Sequence, residues 1–180
     1  MYRAVALALV TIAACGVPMR QVHPVATDPE RDAQLTATWD QQIRSVARDG
    51  DWILAAAGDD LSHAALYDAE HDTIIEAAGP EIREVPLVHL LEVARYVVVV
   101  RPSRMSVADR AASVARARGR LGVVIDVGVV GPDDERGPAL VYWASQTEAR
   151  AGAHEMVLTP GALVKYGEVI FASPRRDALD

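Results

Sequence analysis

Two neighbouring runs decide the fold of this chain: Ser62-His63-Ala64-Ala65-Leu66-Tyr67 and Thr73-Ile74-Ile75-Glu76-Ala77. Each run alternates in character and is bounded by Asp-rich turns, a pattern that is typical of β-strands. Four residues, 68–71, separate Tyr67 from Asp72. The spacing therefore predicts an antiparallel hairpin with a four-residue loop, which is a common loop length.

The pairing within this hairpin brings two polar residues together. With Tyr67 opposite Asp72, His63 lies directly opposite Glu76, and directly opposed residues share a face with their Cβ atoms about 5 Å apart. A carboxylate in that position holds the tautomer of an imidazole and stabilises its charged form, as in the base half of a nucleophilic triad. The alternative is that His63 is a polar residue at the rim of the sheet, beside an unrelated glutamate.

Composition limits the classes to which the chain can belong. Its 180 residues suit one domain, and the 51% of hydrophobic residues are enough for a core. The net charge is −7, and no run rich in Lys and Arg stands out. These features argue against a nucleic-acid partner.

The N-terminus predicts export and lipidation. An apolar run, 4–14, follows Arg3; it is too short to span a bilayer and is typical of a signal peptide. It ends at Ile12-Ala13-Ala14-Cys15-Gly16, which resembles a bacterial lipobox. We therefore expect a signal peptide over 1–14, an acylated Cys15, and a membrane-anchored protein of the bacterial cell envelope that faces outside the cytoplasm. The alternative is an ordinary signal peptide with a chance cysteine.

The rest of the chain predicts a tether, 15–26, and one α+β domain over 27–180. Strands come mostly as sequence neighbours with helices before and after, which favours an antiparallel sheet packed by helices. The predicted helices run from a Thr27–Glu30 capping box to Arg48, from Pro86 through Leu91, from a Ser106–Asp109 capping box to Arg120, and from Ala139 to Ala151. The other predicted strands cover 52–56, 82–85, 95–101 and 168–172, and the tail from Pro174 is expected to fray.

An ordered set of short segments resembles a known family. The chain is similar to the YiiX/YebB-like proteins, which are circularly permuted relatives of the NlpC-type papain-like cysteine hydrolases. The likeness covers roughly 49–173. It rests on Gly50-Asp51-Trp52-Ile53-Leu54, Ser62–Tyr67, Glu76-Ala77, Pro86-Leu87, Tyr96–Arg101, Leu121-Gly122-Val123-Val124-Ile125-Asp126 and Thr159-Pro160. The family usually has Tyr where this chain has Ile125.

The resemblance implies a permuted papain-like fold and a site with one part missing. It assigns His63 as the base and Glu76 as its orienter. The family nucleophile is a Cys at the start of a helix in a Tyr-x-Cys-Ser segment, which Tyr142-Trp143-Ala144-Ser145 matches with Ala144 at the cysteine position. Ser145 would lie about 100° further round a helix, so we do not expect it to replace the thiol. Ser62, Tyr142 and Ser145 are candidates for lining a substrate pocket.

Three interpretations remain open at this point. The first is a catalytically silent member of the family that binds a peptidoglycan peptide, a lipid or an envelope partner. The second is an amide or ester hydrolase whose cysteine was replaced by Ala144 in this copy. The third is an unrelated structural lipoprotein. None of them predicts a metal or a cofactor, because Cys15 is the single cysteine and neither a phosphate loop nor an HExxH motif is present.

Overall fold

The computed structural model describes residues 28–78, 80–124, 136–146 and 159–179. In these ranges the domain is α+β, as predicted, and is built on a six-stranded antiparallel sheet with strand order β4-β3-β2-β1-β5-β6. The strands are β1 (Trp52–Ala56), β2 (His63–Asp68), β3 (Thr73–Ala78), β4 (Glu81–Pro86), β5 (Tyr96–Pro102) and β6 (Gly167–Ala172). The helices are α1 (Pro29–Val46), α2 (Leu87–Val93), α3 (Val107–Arg118), α4 (Arg136–Ala144) and α5 (Pro160–Leu163), with 3₁₀ turns at Val164–Tyr166 and Arg176–Leu179.

The sheet separates two hydrophobic cores. Its inner strands are buried on both sides, which explains why β1 and the valine run of β5 read as continuous apolar stretches. One core lies between the sheet and the first two helices, and we call this side the α1/α2 face; it includes Trp39, Ile43, Ile53, Ala55, Ala65, Tyr67, Ile74, Leu87, Leu91, Val97 and Val99. The other side is the α3/α4 face; it includes Trp52, Leu54, Ala64, Leu66, Ile75, Ala77, Val100, Val114, Leu140, Val141, Ala144 and Leu163.

The hairpin forms with a register two residues away from the predicted one. Asp68 pairs with Thr73 and Ala65 pairs with Glu76, so the loop is 69–72. His63 is therefore a diagonal neighbour of Glu76, not the residue directly opposite. Side chains alternate with a period of two, so a shift of two residues leaves both on the same face.

The Gly50-Asp51 pair fixes the entry to the sheet. Gly50 has a φ of +74°, and a Cβ there would lie 2.7 Å from the Arg110 carbonyl oxygen. The buried Asp51 carboxylate accepts hydrogen bonds from Arg101 Nε at 3.1 Å and Nη2 at 2.8 Å, and from the Arg48 backbone N–H at 2.9 Å. These contacts join the end of α1 to β1 and β5, so this part of the family-like pattern has a structural role.

The C-terminal tail is docked, contrary to the prediction that it frays. The Arg176 guanidinium lies 4.5 Å from the Trp39 ring and donates hydrogen bonds to carbonyl oxygens of both α1 and α2. The acceptors are Asp32 O, Thr36 Oγ1, Leu91 O and Ala94 O. Through these bonds the tail fixes α2 against α1.

Several element boundaries differ from the predicted ones. Asp28 caps α1 by accepting hydrogen bonds from Glu30 and Arg31, because its carboxylate reaches the free N–H groups of the first turn. The Ser106 capping box and the burial of Leu87, Leu90 and Leu91 on α2 are confirmed. Helix α4 begins earlier than predicted, at Arg136, and ends at Ala144. No helix in the described ranges is both long and apolar enough to cross a membrane.

Candidate functional site

His63 and Glu76 meet on the α1/α2 face, as the sequence predicted. His63 Nε2 lies 2.7 Å from Glu76 Oε2, because the diagonal separation in a sheet is still within reach of long side chains. The carboxylate oxygen approaches Nε2 away from the axis of the ring N–H, so the two groups are in close contact without an aligned hydrogen bond.

Arg83 completes the site from the next strand. It lies directly opposite Glu76 in the β3–β4 ladder, and its Nε donates a hydrogen bond to Glu76 Oε1 at 2.7 Å. Its Nη2 lies 2.6 Å from the same oxygen. Glu76 therefore contacts His63 through Oε2 and Arg83 through Oε1.

The electrostatics of the pair favour an ionised Glu76. Burial alone would raise the pKa of this carboxyl group, which is only 3% exposed. The contacts with His63 and then with Arg83 outweigh burial and hold the pKa below its usual range. The carboxylate therefore keeps its charge and can orient the His63 ring over the physiological pH range.

The pair opens into a pocket of about 520 Å³ between the sheet and α2. Many of its lining residues are small and apolar, and the titratable ones come from β2, β3, β4 and α2. The lining residues are Ala55, Ala56, Ala57, Ser62, His63, Glu76, Ala78, Arg83, Val85, His89, Leu90, Val93 and Ala94. A pocket of this size, apolar with a few convergent polar groups, is typical of small-molecule or peptide sites.

Ala144 does not join this site. It is fully buried in the core of the α3/α4 face, whereas His63 pairs with Ala55 on the α1/α2 face. It is also the last residue of α4, and its carbonyl oxygen accepts a hydrogen bond from Arg116 Nε at 2.7 Å. The expected position at a helix N-terminus beside His63 is therefore wrong for this chain, and the sheet itself separates the two residues.

The three pocket candidates have different surroundings. Ser62 is exposed and lines the pocket beside His63. Ser145 is fully buried on the other side of the sheet, where its Oγ accepts a hydrogen bond from Trp52 Nε1 at 2.9 Å. Tyr142 packs edge-on against Tyr166 in the same core, with the ring centroids 5.8 Å apart. Only Ser62 can contact a ligand of His63.

A separate acidic cluster lies at the hairpin loop. Asp68, His71 and Glu84 place one ligand-type atom each within 4.8 Å of one another. Arg118 already bridges the two carboxylates, with its Nε donating to Asp68 Oδ2 at 2.6 Å and its Nη2 to Glu84. The cluster is thus an ion network that ties α3 to the hairpin, and we assign it no ligand.

Two pocket residues were missed by the sequence analysis. The sequence does contain a signal for Arg83. It lies on the strand that follows β3, so a hairpin between β3 and β4 can place it opposite Glu76. The spacing of His89 and Glu92, one helical turn apart, is typical of a surface pair; in the structure His89 is an exposed residue of α2 that also lines the pocket. Nothing in its spacing indicates that α2 folds over the hairpin.

Comparisons with models of protein families, with curated proteins and with solved structures give no match.

Some of the predictions made from the sequence lie outside the described residues. These are the signal peptide, Cys15, the tether, Ile125 and the helix predicted for 147–151.

Proposed function

We propose that this protein is a lipid-anchored envelope protein whose domain binds a ligand in the His63 pocket and performs no covalent hydrolysis. The observation that carries the proposal is the His63–Glu76–Arg83 arrangement inside a pocket that has no thiol among its described lining residues. A base with its orienter, but without a nucleophile, retains the ability to donate and accept hydrogen bonds. Binding is therefore the activity that the arrangement supports best.

The pocket favours a ligand that carries a carboxylate. Among the described residues that line it, Arg83 is a cation, His63 and His89 can become cations, and Glu76 is the single acid. The Glu76 carboxylate neutralises part of this charge, but Arg83 remains half exposed. Peptidoglycan stem peptides carry free carboxylates on a short backbone, so we name them as the ligand class.

The YiiX/YebB-like relationship and the papain-like fold belong to the same proposal. The ordered segments and the His63–Glu76 contact support them. The position of Ala144 argues against the second interpretation, an active hydrolase in which only the cysteine was changed, because a thiol at 144 would lie across the sheet from the base. The contact itself argues against the third, an unrelated structural lipoprotein.

Binding can be tested with a fluorescent stem tetrapeptide and an analogue in which its carboxylates are amidated. We expect saturable binding of the acid form, a loss of about tenfold or more in His63→Ala and Arg83→Gln, and recovery of the peptide intact. His71→Ala is the matched control, because His71 lies at the loop and outside the pocket. Cleavage that His63→Ala abolishes would make the protein an enzyme. Equal binding of the amidated peptide would refute the carboxylate assignment.

The anchor is tested separately. Dual acylation of a cysteine gives stable membrane attachment, which a single chain does not. Cys15→Ser is therefore expected to release the protein from the membrane fraction. A Cys15→Ser protein that stays membrane-bound and uncleaved would refute the lipoprotein assignment.

A further inference from the structure

A second concave site lies on the α3/α4 face, where the proposed function makes no use of the surface. It is a slot of about 340 Å³ between the β3–β4 end of the sheet and α4. Of the described residues that line it, all but Arg120 are apolar: Ala77, Ile82, Val123, Ala139, Leu140 and Trp143. Solvent reaches the slot, because Trp143 is 44% exposed.

The apolar surface continues beyond the slot. Leu121 and Val123 are each about two-fifths exposed, and Val124 is 73% exposed. These residues follow α3 and are held to the edge strand by the Ile82 N–H, which donates to the Val123 carbonyl oxygen at 3.1 Å. Leu121 and Val124 lie within two positions of the slot residue Val123 in the chain, and grouped exposed apolar residues mark binding sites more often than a scattered one does.

Arg120 gives the slot a charge at its mouth. Its guanidinium carbon lies 5.0 Å from the centroid of the Trp143 ring, a cation–π geometry that holds the side chain over the slot. Most other arginines near this face are paired: Arg118 contacts Asp68 and Glu84, and Arg116 donates to the Ala144 carbonyl oxygen. Within the described ranges, no carboxylate contacts Arg120.

We propose that this slot binds an aliphatic chain that ends in a carboxylate, that is, a fatty acid. The chain would lie against Ile82, Leu140 and Trp143, and the carboxylate would pair with Arg120. The charge complementarity is specific in sign: a neutral alcohol of the same length keeps the apolar contacts and loses the ion pair, and an alkylammonium ion is repelled. This inference does not depend on the His63 pocket, which lies on the other face of the sheet.

Tryptophan fluorescence offers a direct readout, because Trp39 and Trp52 are buried and Trp143 is exposed. We expect dodecanoate, kept below its micelle concentration, to blue-shift the emission in a saturable titration, and Trp143→Phe to remove the shift. Arg120→Gln should weaken dodecanoate by about tenfold or more and leave dodecanol unchanged. Lys165→Gln is the matched control, because Lys165 is also a cation over an aromatic ring, at 5.2 Å, but does not line the slot.

Three results would overturn the proposal. One is the absence of saturable dodecanoate binding. Another is a loss of affinity that is the same in Lys165→Gln as in Arg120→Gln. The third is concentration-dependent self-association that Trp143→Ala abolishes, since the slot would then be an interface between copies of the chain. Failure of the peptide titration, or its loss in His63→Ala, has no bearing on these outcomes, so the two sites are tested independently.

Discussion

Both faces of the sheet carry polar side chains, but the surroundings of these side chains differ. On the α1/α2 face, His63 and Glu76 are polar groups next to a pocket, and the small side chains around them leave space. On the α3/α4 face, Ser145 and Tyr142 are polar groups whose partners, Trp52 and Tyr166, come from within the core. His63 and Glu76 therefore border a space that a ligand can enter, whereas Ser145 and Tyr142 are held by packing within the core.

This difference changes how the family-like residues are interpreted. The resemblance supplies a base, an orienter and a nucleophile position as one set, yet the sheet lies between the first two and the third. The three residues cannot act as one catalytic unit in this fold, because members of a triad contribute only when they contact one another. The predictions that follow concern this separation of the two faces.

The largest effect is expected from Trp52→Ala on the α3/α4 face. Trp52 is fully buried, and its removal leaves a large cavity and an unpaired Ser145 hydroxyl. We expect the free energy of unfolding to fall by about 3–5 kcal/mol. Urea unfolding followed by far-UV circular dichroism measures this change. Trp143→Ala, at a half-exposed position on the same face, is the matched control, with a loss of about 1 kcal/mol or less; equal losses would mean that this core is not packed as described.

Arg176→Ala tests whether the tail holds the wall of the pocket. The variant loses the hydrogen bonds to Leu91 O and Ala94 O of α2 and the contact with the Trp39 ring. We expect a destabilisation of about 2–4 kcal/mol, because buried carbonyl groups would be left without a donor. Hydrogen exchange should show faster opening of α2 and leave α4 unchanged. Uniform acceleration over both helices would indicate global unfolding and no specific link to the pocket face.

A Glu76→Gln variant probes the electrostatics of the same face. In the folded state burial raises the pKa of Glu76, but the contacts with His63 and Arg83 outweigh burial and hold the pKa below the ordinary value of a glutamate. Its charge therefore contributes stability that is fully present above the unfolded pKa and is lost as the pH falls through the folded pKa. We expect the parent to lose more stability than Glu76→Gln between pH 5 and the onset of acid unfolding. Parallel pH profiles would show that the His63 and Arg83 contacts do not stabilise the carboxylate.

The sequence predicted some features of the two faces and missed others. The strands, the α+β class and the His63–Glu76 contact follow from local patterns, since alternation and a short loop fix which residues share a face. The exact register did not follow, because loops 68–71 and 69–72 have the same length and preserve the same faces. The sequence also did not predict which face of the sheet α4 covers. The pattern of a helix shows which of its own sides is apolar, but both faces of this sheet are buried, so either could receive it. The docking of Arg176 depends on contacts between residues more than 80 positions apart, such as that with Leu91, for which no local signal exists.

The smallest effect on stability, and the sharpest test of the two faces, is expected from Ala144→Cys. The added sulfur is close in size to a methyl group, so we expect a loss of about 1–2 kcal/mol from overpacking. A thiol at this position would be buried among apolar side chains at the C-terminal end of α4, where both the burial and the helix dipole disfavour a thiolate. Iodoacetamide should therefore modify the folded protein slowly near neutral pH, and adding His63→Ala should leave the rate unchanged.

Ser62→Cys is the matched control, since a thiol there is exposed beside the imidazole and should react faster. Rapid alkylation of Ala144→Cys that slows in the His63→Ala background would place position 144 beside the base. The two faces would then be one site, and the chain would be a disabled hydrolase of the family it resembles.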